Sequence, residues 1–309
     1  MEKKVGFIGL GQMGYWMALN IMKGGFDLTV FDINNEAMSF LSTQGARKAE
    51  SPSDLAGKVD WVILSLPGAE VVEKVVFGEQ GIVQGSKGRQ VLVDCGTTDY
   101  LKTLNLSALL RKHGFRFVDA PVSGMDIRAR EATLTIMCGG QEEVIKEIWP
   151  VLATMGNKIV HMGNVGNGQL AKLVNQLLYN ANLAALAEVL PMAVKLGLDS
   201  EKIAQVVNTG SGRSFASEFF IPKILENRFD RGYSLKNAYK DMISAAGISA
   251  KHRIPLPVIH AATTTYQMAM ALGFGGEDKG SMIKVFEQLL SVKFRKKCEK
   301  DRSVKQNRS

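Results

Sequence analysis

Cysteine is scarce in this chain. The three, Cys95, Cys138 and Cys298, lie too far apart for a disulfide framework or a metal-ligand spacing. They are expected to be two buried small residues and one tail thiol, in a reducing cytoplasm, and no metal is expected. Histidine is nearly as rare. His113, His161, His252 and His260 share no motif, and only His161, at a strand end, stands where acid–base chemistry could use it. No uninterrupted apolar run reaches the ~18–20 residues that a membrane span needs, so no membrane partner is expected. Met1-Glu2-Lys3-Lys4 leads straight into a strand, which speaks against a leader sequence. Low-complexity sequence is confined to residues 293–309, where eight basic residues stand against two acidic ones. Most of the net charge of +8 therefore sits in a short polar tail. Such a tail is expected to be disordered and dispensable for catalysis, with truncation at Val292 tolerated, and no nucleic-acid partner is expected.

The chain is otherwise that of an ordinary globular protein, 46% hydrophobic and 22% charged over 309 residues, a length that suggests two domains. Its most informative stretch is Val5-Gly6-Phe7-Ile8-Gly9-Leu10-Gly11-Gln12-Met13-Gly14. A short apolar strand runs into Gly-x-Gly-x-x-Gly and then into a helical pattern. Gly9 allows the tight turn, Gly11 lets a pyrophosphate approach the backbone, and Gly14 lets the helix pack close to the strand. The helix start, with Gln12 and Met13 in the turn, offers unpaired N–H groups and a partial positive charge. Asp32 ends the next apolar run, where a carboxylate accepts hydrogen bonds from ribose hydroxyls and repels a 2′-phosphate. Ile33, Asn34 and Asn35 supply no arginine for such a phosphate. NAD is therefore expected as the cofactor in preference to NADP.

Apolar runs at 5–9, 28–32, 61–66, 91–94, 115–119, 134–138 and 158–161 alternate with helical patterns. This order predicts an α/β Rossmann-type N-terminal domain with a mostly parallel sheet, residues 1–163. Ligands of such sheets bind beyond the carboxyl ends of the strands. From Leu170 apolar residues recur at helical spacing to about Leu196, and helical segments follow at 200–208, 219–227, 235–251, 257–272 and 281–290. Residues 164–292 are therefore expected to form an all-helical substrate and oligomerisation domain, joined through a long interdomain helix, with the basic tail at 293–309. The apolar helical half suggests a homodimer or homotetramer.

Hydride exchange also needs a proton source. Lys172 lies near the start of the long helix, with Asn175 and Gln176 at i+3 and i+4 on the same face, where it could project into an interdomain cleft or simply be a solvated helix lysine. Four motifs in order resemble those of the β-hydroxyacid dehydrogenase family, in its 3-hydroxyisobutyrate dehydrogenase group. They are the glycine turn, Asp119-Ala120-Pro121-Val122-Ser123-Gly124, Gly166-Asn167-Gly168-Gln169-Leu170-Ala171-Lys172-Leu173-Val174-Asn175, and Lys240-Asp241. The resemblance implies an NAD-dependent oxidoreductase that interconverts a short β-hydroxy acid and its semialdehyde. It implies Lys172 as general acid/base with Asn175 assisting, and substrate on Ser123 and Gly124. It also implies Leu66, Pro67, Thr97 and Lys240 at the cofactor, and a structural Asp241. The chain departs from the family at Met125 and Gln176, which stand where Gly and Asn are usual in the substrate site, and at Tyr233, where Phe is usual. Arg128 and Arg130 follow the substrate turn and could pair with an acidic substrate group. Imine reduction and a non-catalytic NAD-binding module are the other readings of this architecture. The retained Lys172 argues against both.

Overall fold

The computed structural model describes residues 3–230 and 233–296. The chain divides into two compact units, the first ending at Lys172 and the second beginning at Leu173.

The first unit is built on a nine-stranded sheet. Its strands are β1 (Val5–Ile8), β2 (Leu28–Phe31), β3 (Arg47–Lys48), β4 (Trp61–Leu64), β5 (Val91–Asp94), β6 (Arg116–Asp119), β7 (Val122–Ser123), β8 (Leu134–Gly139) and β9 (Gly156–Gly163). The order is β3-β2-β1-β4-β5-β6-β8-β7, with β9 paired to β8. All pairs from β3 to β6 are parallel, as is β8 with β9; β8 runs antiparallel to β6 and β7. Strands β1, β4 and β5 are buried along their whole length because helices cover both faces, which is why they read as continuous apolar runs. Their side chains alternate between two cores. Val5, Phe7, Ile63 and Val93 face one, and Ile8, Val62, Leu64 and Leu92 face the other. Strand order reverses at β1, which lies between β2 and β4, so the crevice for a ligand opens past the carboxyl ends of β1 and β4. The two-residue strands β3 and β7 are too short to leave a periodic signal.

The second unit is helical, and its described residues include no strand. It comprises most of the long helix Asn167–Lys195, followed by Ser200–Thr209, Phe215–Leu225, Leu235–His252, Pro257–Ala271 and Ile283–Leu290. Leu183, Leu190, Phe220, Ile224, Met242, Tyr266 and Ile283 meet in its core. The helix at 215 starts earlier than its apolar pattern suggests, because Ser214 and Ser217 close a reciprocal capping box ahead of it.

The division between the compact units falls inside the long helix, whose first turn Asp119 holds to the sheet. That helix is long and apolar enough to cross a membrane by length and composition alone, with an 18-residue window of mean hydropathy 1.4, although it holds no uninterrupted apolar run of that length. Much of its apolar surface is accounted for by packing, since Leu183, Ala184, Ala187 and Leu190 are buried in the helical core. Finally, the tail does not begin at residue 293. Phe294 is completely buried, and its N–H donates to Glu287 Oε1 at 2.8 Å. Arg295 Nη2 donates to Glu287 Oε2 at 3.0 Å, and the Lys296 N–H donates to the Leu225 carbonyl at 3.0 Å. Burial of one aromatic ring and one ion pair holds these residues; Cys298 and the rest of the tail, 297–309, lie outside the described residues.

Candidate active site

The glycine turn follows β1. Gly9 has φ +97°, and a Cβ on it would lie 2.3 Å from the Ser65 carbonyl oxygen. A Cβ on Gly14 would lie 1.9 Å from the Gly9 oxygen. Both glycines are thus demanded by packing. Gly11 is different, since a Cβ there would meet no protein atom within 4 Å. Packing within the protein gives no reason for that glycine, whereas the close approach of a pyrophosphate does. The helix Gly14–Lys23 begins with no side-chain cap and no acidic residue in its first turn, so its N–H groups suit an anion. Asp32, at the end of β2, accepts from the Asn34 N–H at 2.7 Å and from the Leu10 N–H inside the turn. The carboxylate is therefore locked beside the place where a ribose would lie. These features fit a dinucleotide.

The loop after β5 carries Thr97, and its two neighbours are held by side chains. Asp94 accepts from the Gly96 N–H and from the Thr98 hydroxyl, both at 2.9 Å. Gln169 accepts from the Thr98 N–H at 3.0 Å and donates to the Gly96 carbonyl at 2.8 Å. One amide thus treats the loop as an adjacent strand would, and it sits three residues before Lys172 on the same helix. Asp119, at the end of β6, accepts from the Gly166 N–H at 2.6 Å and the Gln169 N–H at 2.8 Å, capping that helix. Burial pushes Asp94 up to about 7 and Asp119 up to about 6, the latter against the pull of its backbone donors. Burial likewise pushes the Cys138 thiol up to about 12 and raises Cys95 well above its ordinary value. Both behave as inert packing residues. Sequence reading missed Gln169 and the role of Asp119, because their partners are remote along the chain.

Lys172 is 8% exposed, and its Nζ donates to the Val122 carbonyl at 2.8 Å. The ammonium therefore reaches the residue that precedes Ser123 and Gly124. Both are half-buried, with Gly124 at φ +141°. Met125 adopts φ +61°, a left-handed conformation that favours glycine and costs a side-chain residue about 1 kcal/mol. Leu66 packs against the Gly9 turn, and Pro67 beside it is exposed. His161 spends its Nε2 on the carbonyl oxygens of Gly140 and Gly163, at 3.0 and 3.1 Å.

In the second unit, Asn175 and Lys240 are exposed. Gln176 is buried and donates to Asp241 Oδ2 at 3.2 Å, an acceptor that the Tyr233 hydroxyl also approaches at 3.4 Å. Burial, with Asp241 beside it, raises the Tyr233 phenol well above its usual value. A further cation was not foreseen, since a lone lysine reads as surface. Lys279 is 1% exposed, donates to Asn180 Oδ1 at 2.7 Å and stands 3.4 Å from the centre of the Tyr179 ring. Among the described residues no cluster of His, Cys, Asp and Glu could hold a metal ion.

This geometry is matched by kinship. Residues 4–163 match the family described as the NAD binding domain of 6-phosphogluconate dehydrogenase. Residues 166–286 match the one described as NAD-binding of NADP-dependent 3-hydroxyisobutyrate dehydrogenase. The 2-(hydroxymethyl)glutarate dehydrogenase of Eubacterium barkeri is 38% identical over 94% of this chain and 98% of its own. The mitochondrial 3-hydroxyisobutyrate dehydrogenase of Bos taurus is 32% identical over 92% of this chain and 87% of its own. A crystal structure of 3-hydroxyisobutyrate dehydrogenase from Salmonella typhimurium superposes with a TM-score of 0.86 at 27% identity, covering 92% of this chain and all of that one. With a dinucleotide turn, a buried lysine beside the Ser123-Gly124 turn, and relatives that align along nearly their full length, the chain belongs to the β-hydroxyacid dehydrogenase family.

Proposed function

We propose that this enzyme interconverts a short β-hydroxy acid and its semialdehyde with NAD, and that Lys172 is its general acid/base. The observation that carries the reading is the buried Lys172 Nζ on the Val122 carbonyl, adjoining the Ser123-Gly124 turn. Bound nicotinamide supplies hydride exchange at the carbinol carbon. Lys172 takes the hydroxyl proton on oxidation and returns it on reduction. The Ser123 hydroxyl and the Gly124 N–H receive the substrate carboxylate, with Met125 narrowing the turn, and Asn175 and Gln176 serve the substrate from the helix beyond Lys172. Gly9, Gly11, Gln12, Met13 and Gly14 hold the pyrophosphate, Asp32 the ribose, and Leu66, Pro67 and Thr97 line the rest, with Lys240 reaching the cofactor.

NAD is favoured over NADP because Asp32, fixed by two backbone donors, repels a 2′-phosphate and no arginine follows it. The Eubacterium relative is named for a glutarate and the Bos relative for an isobutyrate, which supports a small acidic substrate. The helix Asn167–Lys195 leaves Val174, Leu178, Val189 and Met192 exposed, which supports a homodimer or homotetramer, and the buried free thiols Cys95 and Cys138 are in keeping with a cytoplasmic enzyme.

The test is absorbance at 340 nm with NAD or NADP against a panel of short hydroxy acids and semialdehydes. Lys172→Ala should leave NADH binding nearly intact and lower turnover by about 10²–10⁴-fold. Near-normal turnover in that variant would remove Lys172 from the mechanism, and a clear preference for NADP would overturn the role of Asp32.

A further inference from the structure

Arg128 lies on the short helix Met125–Arg130 that follows the substrate turn. Its aliphatic stem folds back over Gly124. A Cβ built on Gly124 would lie 2.7 Å from Arg128 Cβ, 2.7 Å from Cδ and 3.2 Å from Cγ. The missing side chain of Gly124 is thus the space that the Arg128 stem occupies. Nε is bonded to that same Cδ, so the guanidinium starts from the rim of the turn. It enters no hydrogen bond or ion pair with the described residues, and the exposed Asp126 beside it pairs with neither arginine. Arg130 has a different occupation, since its guanidinium carbon lies 5.4 Å from the centre of the Trp16 ring. The residue that precedes the turn, Val122, holds the Lys172 ammonium on its carbonyl.

Two cations therefore adjoin the Ser123-Gly124 turn, one through Val122 and one through Gly124, and only one of them is needed for proton transfer. A monocarboxylic hydroxy acid would satisfy the turn and leave the guanidinium fork idle. A second carboxylate, carried a few bonds from the first, would find a planar bidentate partner there. We infer that Arg128 reads a second carboxylate, so that the substrate is a dicarboxylic β-hydroxy acid or its semialdehyde. This rests on the dehydrogenase reading above and narrows its substrate class.

The test compares kcat/KM for a dicarboxylic β-hydroxy acid with that for its chain-length-matched monocarboxylic analogue, in which a methyl replaces the distal carboxylate. The wild type should prefer the dicarboxylate. Arg128→Met should lower that preference by roughly ten- to hundredfold, the worth of a charge-assisted hydrogen bond, and the loss should appear in KM more than in kcat. Arg130→Met should leave the preference where it was. Equal loss on both substrates in Arg128→Met, no preference in the wild type, or a preference moved by Arg130→Met instead would each overturn the assignment. Turnover of the monoacid with NAD alongside any of these would leave the dehydrogenase reading standing. Failure of both acids with NAD and with NADP would sink that reading and the assignment with it.

Discussion

Gln169 offers a sharp test of how the site is held together. Gln169→Met keeps the volume and the apolar stem but removes both ends of the bridge. The Thr98 N–H and the Gly96 carbonyl, paired at 3.0 and 2.8 Å in the wild type, would be left buried with no partner. Each orphaned buried group costs about 1–3 kcal/mol, so the variant should lose roughly 2–6 kcal/mol. That is a large part of the ~5–15 kcal/mol by which a domain is stable. If the loop shifts to find water, Thr97 moves relative to Lys172, and a displacement of about 1 Å can cost on the order of 10²-fold in rate. Urea unfolding gives the first quantity. Turnover at saturating cofactor, beside the NADH dissociation constant, gives the second. The expected pattern is a stability loss, a fall in kcat and a nearly unchanged NADH affinity. A variant of wild-type stability and turnover would refute the idea that this amide registers the loop to the helix.

Two further outcomes are expected. Burial raises the Asp94 pKa from its ordinary value to about 7, equivalent to about 4 kcal/mol, part of it shared with Asp119. A raised folded-state pKa means that the contribution is fully present below the unfolded value near 4 and is lost as pH climbs through 7. Wild-type stability should therefore decline between about pH 4 and 7, and Asp94→Asn should flatten that decline; parallel urea curves for the two proteins would count against it. Truncation after Val292 removes Phe294 and Arg295 and leaves Glu287 buried without its partner. Removing a buried aromatic alone costs about 3–5 kcal/mol, so the melting temperature should fall by roughly 10 °C, while truncation after Lys296 should leave it unchanged. Equal melting temperatures for the two truncations would show that residues 293–296 do not hold the fold.

Much of the first unit was legible because its signals are local. The run before Gly9, the glycine spacing and the acid at Asp32 each lie within one strand, one turn or one helix start. The alternating apolar runs likewise forecast β1, β2, β4, β5, β6, β8 and β9 to within a few residues. Strands β3 and β7 escaped because two residues carry no period. The packed end at Phe294 escaped because a basic, polar composition outweighed one phenylalanine. The Asp119–Gln169–Thr98 network escaped because its members are about 50 and 71 residues apart, and only the sheet order brings them together.

By itself, the order of residues determined an alternating α/β unit with a dinucleotide turn, a helical unit after it, and the kinship that makes this an oxidoreductase. Those properties follow from hydrophobic periodicity and short motifs, which act over a few residues. Folding in three dimensions decided which carboxylate caps the long helix, which amide clamps the Thr97 loop, where the Lys172 ammonium rests and which arginine leans over Gly124. Such contacts join strand ends distant in sequence, and no local pattern encodes them.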